Sequence, residues 1–205
     1  MKNNKLIVKT KNKIYPIYFG SGNLYMIRSL IKKNLPSVKK ICIIIDKNIP
    51  KPLIKKIISL LSKYDLKIFK LIASEKNKNI TVANKIMGQL LKDNFNRSDC
   101  IIAFGGGMIG DLSAFISSLT KRGLRFINIP TTLLAQVDAA IGGKTGVNTN
   151  QGKNLIGTFY QPDLVLSDIA LLKSLPRREI ISGYGEILKH ALILDKKFFF
   201  WLTKN

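Results

Sequence analysis

Three consecutive glycines, Gly105–Gly107, stand between an unbroken apolar run, Cys100–Phe104, and a stretch of helical period, Ile109–Ser118. A short apolar run bounded by turn signals is the pattern of a strand covered on both faces of a parallel sheet. A strand, a glycine turn and a helix in that order let backbone amides approach a phosphate at the helix N-terminus. The same strand pattern occurs at Ile41–Ile45, which ends in Asp46. Lys5–Lys9 and Ile14–Phe19 alternate as half-buried strands do, and Leu66–Ile72, Arg125–Ile129 and Leu164–Leu166 add further strands. Leu53–Leu61 and Val82–Leu91 have helical spacing. Strands and helices alternating at these intervals predict a doubly wound α/β domain around a parallel sheet.

The 205 residues suffice for one full domain and the start of another, and 46% hydrophobic content supports a substantial core. With 34 basic and 12 acidic residues, the formal charge is +22. The lysines occupy both ends and nearly every stretch between elements, without aromatic interleaving. They read as a compositional bias rather than a specific nucleic-acid surface, which would cluster its charge on one face. Cys42 and Cys100 lie inside apolar runs and read as core residues of a protein in a reducing compartment. The N-terminus lacks a signal-peptide core, and no run approaches a membrane span, so a cytoplasmic address is expected.

Phe104–Asn154 concentrates glycines, hydroxyls and both signs of charge, as a site for a phosphate-bearing ligand would. Gly105–Gly110 matches G-x-G-x-x-G, although the usual fingerprint sits in the first βα unit with an acid about 20 residues on. Asp111 at the helix start suits a ribose or amide. Asp46 suits the hydroxyls of an adenosine ribose and equally the N-cap of the next helix. Thr131 and Thr132 after Pro130 fit either a ligand or a helix cap. Lys144 follows two glycines and is a suitable point charge for phosphate or carboxylate, and Lys153 and Asn154 add a cation and an amide. Thr131–Gln161 has no clear period and is expected as a long functional loop. From Arg178 the pattern is helical, with Ile181, Tyr184, Leu188, Ala191 and Leu192 on one face, and it ends in the apolar run 198–202.

Five strings carry a resemblance: GGGMIGD at 105–111, KRG at 121–123, FINIPTTLLAQVDAAIGGKTGVN at 126–148, GKNLIGTFYQP at 152–162 and LPRREIISGYGEILKHALI at 175–193. In order and spacing they resemble the N-terminal part of the 3-dehydroquinate synthase family. The string Ser74–Lys78 resembles that family's Gly-Glu-x-x-Lys loop, with Ser in place of Gly. The resemblance implies a Rossmann-like NAD-binding domain over 1–177, followed by the start of an α-helical metal-binding domain over 178–205. It implies NAD held by Asp46, Asn48, Glu75, Lys78, Gly106, Gly107, Asp111, Thr131, Thr132, Lys144 and Lys153. It implies a sugar acid phosphate substrate, 3-deoxy-D-arabino-heptulosonate 7-phosphate, met by Arg122, Asp138, Lys144, Asn154 and Lys189. Glu186 matches the family's metal-ligating carboxylate, the metal being zinc or cobalt.

By the same resemblance, NAD transiently oxidises the C5 alcohol, phosphate leaves by elimination, the hydride returns, and an aldol step closes the ring. The family's site takes two histidines besides the glutamate, from a downstream helical domain. This chain holds one, His190, outside those positions and expected as a packing or capping residue. The chain is therefore expected to be an N-terminal fragment, inactive by itself and homodimeric when full length. Two other classes remain open. A related sugar phosphate cyclase or glycerol-phosphate dehydrogenase would share the glycine turn, and a non-catalytic remnant would bind NAD alone.

Overall fold

The computed structural model describes residues 4–204. Its strands are β1 (Asn4–Lys9), β2 (Ile14–Gly20), β3 (Lys40–Asp46), β4 (Asp65–Leu71), β5 (Cys100–Gly105), β6 (Arg125–Pro130), β7 (Lys144–Thr149), β8 (Gly152–Phe159) and β9 (Leu164–Asp168). Its helices are α1 (Ile27–Asn34), α2 (Lys51–Leu60), α3 (Ile80–Lys92), α4 (Gly107–Leu119), α5 (Arg177–Leu194) and α6 (Lys196–Leu202). Seven strands form one sheet in the order β1-β2-β9-β6-β5-β3-β4, and only the β1–β2 pair is antiparallel.

Alternation along the central strands fixes both layers of the core. Ile41, Ile43 and Ile45 of β3 join Cys100, Ile102 and Phe104 of β5 on the face packed with α1 and α2. Cys42 and Ile44 join Ile101 and Ala103 on the opposite face, under α3 and α4. Each isoleucine of β3 is fully buried, worth about 1.5–3 kcal/mol relative to exposure. Cys42 and Cys100 are free and buried, and desolvation pushes both thiols well above their ordinary range, which makes them inert core residues.

The chain runs from β3 outward to β4, then returns to the other side of β3 with β5, β6 and β9. The strand order therefore reverses between β3 and β5. In open α/β sheets the carboxyl ends of two such strands frame a ligand crevice. Here they carry Asp46 and the glycine turn.

The structure corrects the expectation of a long loop over Thr131–Gln161. That stretch holds a π-helical turn, Ala135–Ala139, and the antiparallel β7–β8 hairpin. A Cβ on Gly157 would lie 2.0 Å from the Thr145 carbonyl oxygen, so the hairpin closes only around a bare backbone there. The inward face of α5 also differs from the expected one. Gly183 and Ala191 are its buried residues, whereas Ile181, Tyr184 and Leu192 are exposed. In α6, which carries the apolar run 198–202, Phe200 and Trp201 are largely exposed as well. No helix among the described residues is long and apolar enough to cross a membrane.

Candidate active site

Two cavities meet at the glycine turn. The first, about 530 Å³, is lined by Asp46, Asn48, Gly106, Gly107, Thr131 and Thr132 at the carboxyl ends of β3, β5 and β6. Asp46 does not cap α2, whose N-cap is Pro50. Its Oδ1 instead accepts from the backbone N–H of Asn48 at 3.0 Å and of Ala73 at 3.4 Å, joining the ends of β3 and β4. Thr132 does act as a cap, its Oγ1 accepting from Ala135 N–H at 3.2 Å. A Cβ on Gly106 would stand 3.0 Å from Thr132 Cγ2, so a larger residue would crowd this wall of the cavity. The sequence reading missed Leu171, Ser174, Leu175, Pro176 and Glu179, which complete the cavity. Their signal was topological: they follow β9, another parallel strand whose carboxyl end faces the crevice.

The second cavity, about 660 Å³, brings together Asp111 from the first turns of α4, Asp138 from the π turn, and Lys144 and Asn154 from the hairpin. The cavities are neighbours: Gly107 lines the first and Ala139 the second, and a Cβ on Gly107 would lie 3.2 Å from the Ala139 Cβ. Lys78 braces the second. Its ammonium, buried at 4% residue exposure, donates to Asp111 Oδ2 at 2.5 Å and to Asn154 Oδ1 at 2.6 Å. Burial pushes the Asp111 carboxyl above its ordinary range, and the Lys78 hydrogen bond pulls against that rise. Asn154 takes a left-handed φ of 57° as it turns its amide toward Lys78. Glu75 and Lys153 sit on the exposed rim, 3.7 Å apart, and Glu75 also accepts from Asn148 Nδ2 at 2.8 Å.

Glu186 and Lys189 are in direct contact on α5, and this hydrogen bond raises the Lys189 ammonium above its usual value. His190, expected as a packing or capping residue, lies one turn on from Glu186. Its ring is half-exposed, with Nε2 3.3 Å from Glu186 Oε1. Arg122 is not brought to the second cavity. It sits beyond the far end of α4 in a separate cleft with Arg97, Arg125 and Tyr160. Lys121 and Arg122 there hold consecutive positive φ angles of 53° and 62°.

The comparisons with known proteins agree with this geometry. The family signature described as 3-dehydroquinate synthase N-terminal matches residues 68–182. A 3-dehydroquinate synthase from Pelagibacter ubique (strain HTCC1062) is 54% identical over 98% of this chain and 55% of its own length. A crystal structure of 2-deoxy-scyllo-inosose synthase complexed with carbaglucose-6-phosphate, NAD+ and Co2+ superposes with a TM-score of 0.87. It is 26% identical over 93% of this chain and 52% of that one. The 2-epi-5-epi-valiolone synthase from Streptomyces hygroscopicus subsp. jinggangensis, with NAD+ and Zn2+ bound, gives a TM-score of 0.77 at 26% identity, covering 94% of this chain and 53% of that one. The chain thus spans about half the length of the relatives it matches. On the signature match and the paired cavities, the chain belongs to the 3-dehydroquinate synthase family.

Proposed function

We propose that this chain forms the NAD-binding half of a cytosolic 3-dehydroquinate synthase, with a second, helical domain starting at residue 178. The activity is the conversion of 3-deoxy-D-arabino-heptulosonate 7-phosphate to 3-dehydroquinate and phosphate, a step of aromatic amino acid biosynthesis. The observation that carries the reading is the pair of neighbouring cavities, one at the glycine turn and Asp46, the other lined by Lys144 and Asn154 together with Asp111 and Asp138. The first fits NAD: the α4 N-terminus and the open Gly106 wall suit a pyrophosphate, and Asp46 suits ribose hydroxyls. The oxygen and nitrogen donors of Glu186 and its neighbours fit a divalent cation such as zinc or cobalt. When bound, NAD supplies a hydride acceptor and donor and the cation a Lewis acid for developing alkoxide charge.

The chain's own residues then do three things. Lys144 and Asn154 hold the phosphate-bearing end and orient it in the second cavity. Asp138 and Asp111 accept hydrogen bonds from ligand hydroxyls on opposite sides of the same space. Lys78 braces the hairpin against α4 from behind the cavity, and Glu75 and Lys153 stand on its exposed rim. Lys189, in contact with Glu186, would stand beside any cation that Glu186 held. Arg122 cannot reach this cavity in the same chain, so in this reading it serves the site of a second copy in a homodimer.

The test is a chimera in which the remaining length of the P. ubique relative follows Asn205. With NAD and Co2+ it should release phosphate from the heptulosonate phosphate, and Lys144→Ala should lower kcat/KM by about 100-fold or more. A chimera that binds NAD but releases no phosphate would sink the reading in favour of NAD binding without catalysis.

A further inference from the structure

The π turn Ala135–Ala139 carries Asp138 to the second cavity, and one amide side chain ties that turn to the sheet. Gln136 Nε2 donates to the carbonyl oxygen of Pro130 at 3.1 Å and to that of Asp168 at 3.0 Å. These carbonyls stand at the carboxyl ends of β6 and β9. The two strands pair at Ile127–Leu164 and Asn128–Val165, so their ladder stops short of both ends. That stop has a cause in the sequence. Thr131 N–H donates to Gly105 O, toward β5, so the residue before it faces β9, and there Pro130 has no N–H to give. The two hydrogens of the Gln136 amide span the gap that the proline leaves.

The anchor is stiff at its far end. The Asp168 carboxylate accepts backbone N–H bonds from Gly22 and Leu24 at 2.8 Å and from Ala170 at 2.9 Å. Neighbouring contacts fix the approach to the turn. Thr132 caps Ala135, and α5 presses on the preceding leucines: a Cβ on Gly183 would fall 2.6 Å from both Leu133 Cβ and Leu134 N. A π turn is a rarely adopted conformation, and such turns recur at functional sites where the surroundings hold them. Side chains two residues apart on a helical turn leave opposite sides. With Gln136 pinned against the strand ends, Asp138 is turned to the cavity.

The geometry points to Gln136 as a positioning residue: its clasp on the Pro130 and Asp168 carbonyls sets the π turn so that Asp138 faces the ligand in the second cavity. The inference rests on the reading of Asp138 as a ligand-binding carboxylate and deepens it. Gln136 itself lines neither cavity, so its effect passes through Asp138.

Hydrogen exchange on the 205-residue chain and phosphate release by the chimera test it together. The amides of Gln136, Ala140 and Ile141 donate within this segment. Gln136→Met keeps the length of the side chain and removes both donors. Exchange at these amides should then quicken by about tenfold, while that of β3 stays at the wild-type rate. Gln136→Lys returns a donor group and should restore most of the protection. In the chimera, Gln136→Met should lower kcat/KM by about tenfold or more. In an Asp138→Asn background it should lower it by less than about threefold further, as two residues acting as a unit do. Exchange that is unchanged, that quickens equally in β3, or that Gln136→Lys leaves as fast as Gln136→Met would overturn the clasp. So would losses that add in full to those of Asp138→Asn. A silent chimera with localised, lysine-rescued exchange would support the clasp and overturn the synthase reading. An active chimera with unchanged exchange would do the reverse.

Discussion

Lys78 shows how a single side chain can tie two walls of the second cavity together. An ammonium buried to this degree loses several kcal/mol of hydration, recovered only through its bonds to Asp111 and Asn154. Lys78→Met should cost about 1–3 kcal/mol, less than a fully buried pair would, since Asp111 is about a quarter exposed. The cost should depend on pH in a definite sense. Without the ammonium, the Asp111 carboxyl rises further above its unfolded value, so the deficit is small near pH 4. It grows as pH climbs through that raised range and is complete above it. Urea denaturation at pH 4 and pH 8 reads this directly, and Asp111→Asn in the same chain should remove the pH dependence. An equal loss at both pH values would show that packing, not charge, holds Lys78. The sequence marked Lys78 through its Glu-x-x-Lys loop, but not its partner Asn154. That contact exists only because the hairpin folds back over α4, a long-range event with no local pattern.

At the scale of elements, Gly183 decides where α5 sits. Gly183→Ala meets backbone as well as side chain, so the clash cannot be relieved by one rotamer. It should cost about 1–3 kcal/mol as overpacking and push α5 away from the π turn. Thermal melting of this variant checks it, as a Tm lowered by several degrees. An unchanged Tm would mean that α5 is positioned by something other than this contact. Of the two buried residues of α5, Ala191 stood on the expected face, but Gly183 was not legible, because close approach at a glycine leaves no hydropathy signal. The β7–β8 hairpin was hidden for a related reason. Most of β8 is exposed on both faces, so no apolar alternation marks it, and pairing with β7 alone makes it a strand. The strands β3 and β5 were legible because burial on both faces demands unbroken apolar runs. The carboxyl ends of those strands then fixed the first cavity.

Over the whole molecule, the +22 charge has two consequences that pull in opposite directions. Like charges spread over one surface repel and destabilise the compact state, and salt screens them over about 10 Å at 0.1 M. Raising NaCl from about 10 to 200 mM should therefore raise Tm by several degrees. The same field draws anions toward the cavity, where Lys144 and Asn154 stand with Lys78 behind them and Lys153 on the rim. The association rate of a phosphate-bearing ligand should accordingly fall by about tenfold or more over that salt range, while its dissociation rate changes little. Stopped-flow binding and thermal melts in one salt series measure both. A Tm that rises while the association rate stays constant would mean that the charge acts on stability alone. The cavity would then be too well shielded for the surface lysines to steer what enters it.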